Sequence, residues 1–103
     1  MPETVMIDAV RYTILRVKEP LILEGRVCNA VVEYNTAQIK MLEDGNIGEG
    51  NAAKLLMHEI VHALLFERGM TEAAADEELV TELAAGFVNL VRANPQLITF
   101  LQK

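Results

Sequence analysis

The sequence is poor in several residue types, and each shortage excludes a class of protein. Cys28 is the only cysteine among 103 residues, so no internal disulfide can form, and a reducing, cytoplasmic location is predicted. Lysine and arginine number 9 against 15 acidic residues, which gives a net charge of −6 and no basic stripe for phosphates. Nucleic acid and membranes are therefore not expected as partners. No apolar run reaches the roughly 20 residues of a membrane span, and the N-terminus lacks a signal-peptide pattern.

The composition that remains predicts a packed protein. Hydrophobic residues make up 51% of the chain, which favours a buried core over disorder. The length is typical of one domain, and we find no repeat, low-complexity segment or linker. We therefore expect a single domain spanning residues 1–103.

The first 42 residues carry strand patterns. Residues 5–17 alternate apolar and polar positions, with Tyr12 and Ile14 expected to face the core. Three further segments have strand composition, although the first could also be a connector: residues 21–23, 26–34 and 38–41. These segments predict an antiparallel hairpin within a sheet of about three strands.

Helical patterns fill the rest of the chain. The glycine-rich residues 43–50 predict a loop that could also form a mobile rim of a site, and Asn51 is a plausible cap for a helix over residues 52–68. This helix is apolar nearly all round, which is typical of a buried helix, and Gly69 is suited to end it.

A second long helix is predicted over residues 76–94, with either Thr71 or Asp76 as its cap. Its apolar positions form one expected inner stripe: Val80, Leu83, Ala84, Phe87, Leu90 and Val91. Pro95 then begins a short final helix over residues 96–102. The predicted class is α+β, with a small antiparallel sheet followed by helices.

The most informative motif lies on the first long helix. The chain has only two histidines, His58 and His62, and Glu59 follows the first of them directly. Residues four apart share one face of a helix, so the two imidazoles can bind one metal ion. The pattern H-E-x-x-H is typical of zinc sites in which the glutamate handles the proton of a bound water. A chance motif on a core helix is the less favoured interpretation.

Two histidines leave a catalytic zinc site one protein ligand short, because such sites usually have three protein ligands and a water. The missing ligand should be a carboxylate on the following helix. The candidates are Glu72, Asp76, Glu77, Glu78 and Glu82.

Helical phase separates these candidates. Glu77 lies three residues before Val80 and seven before Ala84, so it should project toward the core, although a carboxylate at a helix start is also favoured by the helix dipole. Glu78 is in phase with Glu82 and a solvated face. We expect Glu77 to be the third ligand, with Glu78 as the alternative because helix starts are uncertain by a residue or two.

The same residues carry a resemblance to a known family. The matching stretches are residues 55–65, 76–78, 83–87 and 92–95. Together they resemble small phage- and mobile-element-type zinc metallopeptidases related to the ImmA/IrrE class of gluzincins. The resemblance covers most of the chain, but its specific part is the histidine motif. It implies a minimal zincin-like fold. Relatives of this kind often have an acidic residue where this chain has Thr81, so a contact that orients a ligand can differ here.

The resemblance implies a zinc-dependent metallopeptidase. His58, His62 and Glu77 would hold the Zn²⁺, and Glu59 would act as general base toward the attacking water. A peptide or protein substrate is implied as the partner. Tyr12 and Tyr34 are both candidates for stabilising the oxyanion, and the sequence does not choose between them.

Two other functions remain open. One is a zinc-binding interaction or regulatory module without proteolysis, and the other is a structural helical domain. The short chain offers little surface for substrate subsites, so a homo-oligomer or a larger complex is expected to complete the cleft. Cys28 is interpreted as a small core residue and not as a ligand.

Overall fold

A four-stranded mixed sheet forms one layer of the protein. The computed structural model describes residues 1–43 and 47–103. Its strands are β1 (Thr4–Ile7), β2 (Val10–Val17), β3 (Leu21–Leu23), β4 (Arg26–Cys28), β5 (Ala30–Glu33) and β6 (Gln38–Leu42). The larger sheet has the order β1-β2-β6-β5, while β3 and β4 pair separately as a two-stranded sheet.

The expected antiparallel sheet of about three strands is wrong in one respect. Strands β2 and β6 at the centre are parallel, with Ile14 beside Ile39, whereas the two outer pairs are antiparallel. Parallel neighbours need a long crossover connection, and residues 18–37 provide it by holding the β3–β4 pair and β5. The alternation itself is confirmed, because Tyr12 and Ile14 are buried on one face of β2.

Two predicted strands are each divided in two. Residues 5–17 turn back at Asp8, whose φ of 52° is a left-handed conformation that aspartate tolerates better than most residues. Residues 26–34 are interrupted at Asn29, between β4 and β5. Residues of strand-favouring composition continue through both breaks, so composition alone did not reveal them.

The described residues contain four helices: α1 (Glu49–Glu67), α2 (Thr71–Ala74), α3 (Glu77–Ala93) and α4 (Pro95–Leu101). The expected cap at Asn51 is wrong, because α1 already begins after Gly48, which makes no side-chain cap bond. Residues 44–46 of the expected loop lie outside the described residues. None of these helices is both long and apolar enough to cross a membrane.

The ends of α1 and α3 match the sequence more closely. Gly69 has a φ of 77°, and its N–H and that of Met70 donate to the carbonyls of Phe66 and Leu65, which closes α1 with a Schellman motif. Of the two predicted caps for the second long helix, Asp76 is correct, because its carboxylate accepts a hydrogen bond of 3.1 Å from the N–H of Leu79. Thr71 begins the separate short helix α2.

Helix α1 lies between the sheet and α3. Its sheet-facing residues pack on the cluster around Tyr12 and Ile39, whereas its opposite residues pack on Val80 and Ala84 of α3. The sheet-facing set includes Leu56, Ile60, Ala63 and Leu64, and the α3-facing set is Met57, Val61 and Leu65. Burial from both sides explains why this helix is apolar nearly all round, and it fixes the position of the histidines.

The outer part of α3 differs from the expected inner stripe. Val80 and Ala84 are buried, but Phe87, Leu90 and Val91 are between 40% and 46% exposed. Helix α4 extends the same uncovered region, because Leu97, Phe100 and Leu101 are all exposed. The stripe is apolar as predicted, but in the second half of α3 the buried residue is Val88, which the predicted stripe did not include.

Candidate metal centre

Helix α1 presents both histidines on the side toward α2 and the start of α3. Their ring centroids are 4.8 Å apart, and the two Nε2 atoms are separated by 3.1 Å. The His62 side chain is 8% exposed, while that of His58 is 22% exposed. One turn of helix therefore places two nitrogen atoms together, one deep in the protein and one near its surface.

Glu77 completes a group of three. It is the first residue of α3, directly after the cap Asp76, and its carboxylate reaches back to both histidines. Its Oε1 lies 2.8 Å from Nε2 of His62, and its Oε2 lies 3.0 Å from Nε2 of His58. These side chains are close enough to one another to bind a metal ion. The Glu77 side chain is 71% exposed, so the site opens to solvent on the α3 side.

Helix α2 orients the deeper histidine. The Nδ1 of His62 lies 2.5 Å from the backbone carbonyl of Ala74. A carbonyl can only accept, so Nδ1 must carry the proton, and in a neutral ring Nε2 is then a lone-pair atom. This arrangement is typical of metal-binding histidines, whose second nitrogen is held by an outer partner.

The donor set fits a cation. With Nδ1 bonded to the Ala74 carbonyl, Nε2 of His62 faces a carboxylate oxygen of Glu77 only 2.8 Å away, and on a neutral ring this nitrogen would carry a lone pair. Two lone pairs at that separation repel unless a proton or a metal ion lies between them. Around a tetrahedral zinc with bonds of about 2.0–2.1 Å, donor atoms lie roughly 3.3 Å apart, so the separations of 2.8–3.1 Å here would have to widen slightly to hold the ion. Nitrogen and carboxylate donors are also ligand types that zinc prefers.

The electrostatics of His58 agree with this interpretation. Its pKa is lowered, first by burial and then by the neighbouring His62, while the carboxylate of Glu77 acts in the opposite direction. A lowered pKa keeps the imidazole neutral near pH 7, and the neutral form is the one that binds metals.

Glu59 is the buried carboxylate beside this group. It is 7% exposed, and burial, followed by the negative charge of Glu77, raises its pKa to about 7. A carboxylate with such a pKa can both accept and return a proton near neutrality. A cation bound to the three donors would favour the ionised form and lower this pKa again.

The two tyrosines have different surroundings. The hydroxyl of Tyr12 donates a hydrogen bond of 2.6 Å to Glu67, which ties β2 to the end of α1, away from the histidines. Tyr34 stacks on Phe66 with ring centroids 4.0 Å apart, and the carboxylates of Glu59 and Glu77 add to the effect of burial in raising its pKa. Only Tyr34 lies within electrostatic reach of the site.

Other candidates from the sequence lie outside the group. Within residues 1–43 and 47–103, the carboxylates of Glu72, Glu78 and Glu82 do not join the histidines, and Asp76 acts as the cap of α3. Cys28 is partly exposed, and its Sγ lies 3.7 Å from the carbonyl of Arg26 in its own strand. The Ala74 carbonyl is the contact that the sequence did not indicate, because a backbone atom leaves no residue-specific signal.

Comparisons of this chain with family models, with curated proteins and with solved structures found no match. The resemblance to zinc metallopeptidases therefore stays a prediction that rests on the residues themselves.

Proposed function

We propose that this protein is a zinc-dependent metallopeptidase with a minimal zincin-like fold, related to the ImmA/IrrE class. The observation that carries the proposal is the convergence of three metal donors, with separations of 2.8–3.1 Å between the Nε2 atoms of His58 and His62 and the carboxylate of Glu77. Glu59 follows His58 directly and is the buried acid–base group next to those donors.

His58, His62 and Glu77 would hold the metal. His62 is fixed by Ala74, His58 lies one turn earlier, and Glu77 closes the triangle from α3. Bound Zn²⁺ supplies a Lewis acid that polarises a peptide carbonyl and makes water acidic enough to react near pH 7.

Glu59 and Tyr34 have the remaining roles. The Glu59 carboxylate takes the proton from the attacking water and then delivers it to the nitrogen of the leaving amine. Tyr34 donates its phenolic hydrogen to the oxygen that becomes negative during attack, for which a neutral phenol is required. Its raised pKa keeps that phenol neutral across the working range of pH.

A second candidate is a zinc-binding module that recognises a partner without cleaving it. The uncovered apolar side chains of α3 and α4 favour it, because such surfaces often mark interaction sites.

Metal analysis tests the site. Purified wild type should contain close to one zinc per chain, and His58→Ala and Glu77→Ala should lose it. Glu59→Gln should keep the metal, and Glu78→Ala is the matched control, since this neighbouring carboxylate lies outside the donor group. Zinc retained in Glu77→Ala but lost in Glu78→Ala would reverse the ligand assignment. No zinc in wild type would leave only a structural domain.

Proteolysis needs a separate measurement. Zinc-loaded wild type and Glu59→Gln should be incubated with a broad peptide library and compared by mass spectrometry. We expect cleavage by wild type and none by the variant. A zinc-loaded wild type that cleaves nothing would favour the binding module.

A further inference from the structure

A cleft lies between α1 and α3, beside His58. Its volume is about 400 Å³, and His58 is the one candidate ligand among the described residues of its lining, so the cleft adjoins the proposed zinc site. Lys54 and Leu55 form the α1 wall, and Thr81 and Ala84 belong to the α3 wall. A peptide that reaches the metal from this side must pass between these walls.

The lining is mostly neutral. The lining includes Asn29 and Asn51, whose amides can both donate to and accept from a peptide backbone. Leu55 and Ile47 provide apolar contacts.

Lys54 is the one permanently charged group among these lining residues. It makes no salt bridge with residues 1–43 or 47–103, and none of the described residues that line the cleft carries a carboxylate. The protein as a whole is acidic, with a net charge of −6, so its overall field repels anions. The ammonium group of Lys54 in the cleft therefore attracts anions locally, whereas the acidic surface as a whole repels them.

The spacing sets where a ligand's charge would lie. Lys54 precedes His58 by four residues, which is about 6 Å along a helix. An extended peptide advances about 3.3 Å per residue, so this corresponds to roughly two residues from the metal.

We propose that this cleft is a carboxylate-binding subsite, in which Lys54 selects peptides with an acidic group about two residues from the scissile bond. The inference rests on the proposed zinc site and adds the chemical class of its substrate. The carboxylate is either an acidic side chain or the C-terminus of the peptide, and both present the same group to the ammonium.

Four hydroxamate ligands distinguish these sources. Each carries a zinc-binding hydroxamate on a Leu-Glu or Leu-Gln dipeptide, with either a free or an amidated C-terminus. Dissociation constants are measured by calorimetry on the zinc-loaded protein. An exposed ion pair is worth up to about 1 kcal/mol, so the preferred carboxylate should bind about threefold to fivefold tighter than its amide counterpart.

Variants then assign the preference to Lys54. In Lys54→Gln the preference should disappear, and in Thr81→Glu, which adds a carboxylate to the facing wall, it should also disappear or reverse. Lys18→Gln is the matched control, because Lys18 is exposed and lies outside the cleft lining. Zinc content is measured for every variant, so a loss of folding is recognised. No preference in wild type, or an equal preference in Lys54→Gln, would overturn the proposal.

A second readout separates this inference from the zinc proposal. N-acetylglutamate amide and N-acetylglutamine amide are titrated into the metal-free protein and followed by amide chemical shifts. The acidic compound should selectively shift residues around Lys54, Thr81 and Ala84. If wild type binds no zinc, the proposed function fails, but this titration still decides whether the cleft binds carboxylates; absence of selective shifts would overturn the subsite.

Discussion

The two sides of the proposed metal site are built differently. On the α1 side, His62 is 8% exposed, lies on a helix packed on both faces, and is oriented by the carbonyl of Ala74. On the α3 side, Glu77 is 71% exposed and is the first residue of its helix. His62 is fixed by packing and by its hydrogen bond to Ala74, whereas the position of Glu77 is set mainly by where α3 begins.

Such a site can assemble in two stages, with one side formed on folding and the other ordered when the metal binds. A buried histidine in one orientation has already lost its conformational entropy on folding, so little further entropy is lost when a metal binds. An exposed glutamate must still be ordered, and water can replace it as a ligand. We therefore expect the α1 side to dominate affinity and the α3 side to adjust it.

The largest expected effect comes from the buried side. His62→Ala should weaken zinc binding by more than the 10–100-fold typical of losing an outer contact, because it removes a ligand that water replaces poorly in a buried position. Glu77→Ala should cause a smaller loss, since solvent reaches its position. Competition with a chromophoric chelator measures both affinities. Equal losses would show that burial does not distinguish the two sides.

The next largest effect is on the pH dependence of folding stability, and it comes from Tyr12, which lies where α1 packs on the sheet. Burial raises the pKa of Tyr12, and its hydrogen bond to Glu67 adds to this, so the phenol stays protonated in the folded protein when unfolded tyrosine ionises near about pH 10. This stabilisation is fully present below about pH 10 and is lost as the pH rises further. The free energy of unfolding should fall by up to about 1.4 kcal/mol per pH unit from this residue.

Denaturant titrations at pH values from about 8 to about 11 measure this fall in the free energy of unfolding. This range extends at least about one unit to each side of the pKa of tyrosine in the unfolded chain. Tyr12→Phe should be less stable at pH 8 but should show a shallower slope. Some slope should remain, because the pKa of Tyr34 is also raised. An unchanged slope in the variant would assign the pH dependence to another group.

Removing the cap of α3 should have a smaller effect on stability and on zinc affinity. Asp76→Ala removes the cap directly before Glu77 and should cost about 1 kcal/mol of folding stability. It should also reduce zinc affinity by about tenfold, the lower end for an outer contact. Asp76→Asn keeps a capping oxygen and is the control, which should preserve both stability and affinity. Thermal unfolding with and without zinc separates the two effects.

The smallest effect is expected away from both sides of the site. Gly86 lies inside α3, and a Cβ added there would meet no atom within 4 Å. Gly86→Ala should therefore stabilise the protein by about 0.5–1 kcal/mol, with zinc affinity unchanged. Thermal unfolding measures this gain. A loss of stability would instead indicate that another chain packs closely on this face of α3.

The sequence predicted the elements that depend on local patterns. The histidine spacing, the alternation in β2, the glycine that ends α1 and the cap at Asp76 each follow from a few neighbouring residues. Sequence patterns were less informative about which apolar residues are buried, because burial depends on residues that are distant in the chain. Phe87 and Leu90 have the period of a buried stripe but are 40% and 46% exposed, because in the second half of α3 the buried position is Val88.

Local sequence was enough to propose the two histidine nitrogens as ligands and the adjacent carboxylate as the acid–base group, since one turn of helix relates them. Helical phase also favoured Glu77 over Glu78. The fold added what no local pattern contains: the Glu77 carboxylate reaches both histidines, the Ala74 carbonyl orients His62, and Tyr34, unlike Tyr12, is within electrostatic range of Glu59 and Glu77. The cause is the range of the interactions, because helical phase acts within one element, whereas these pairs of residues are 12 to 43 positions apart and are brought near one another only by packing.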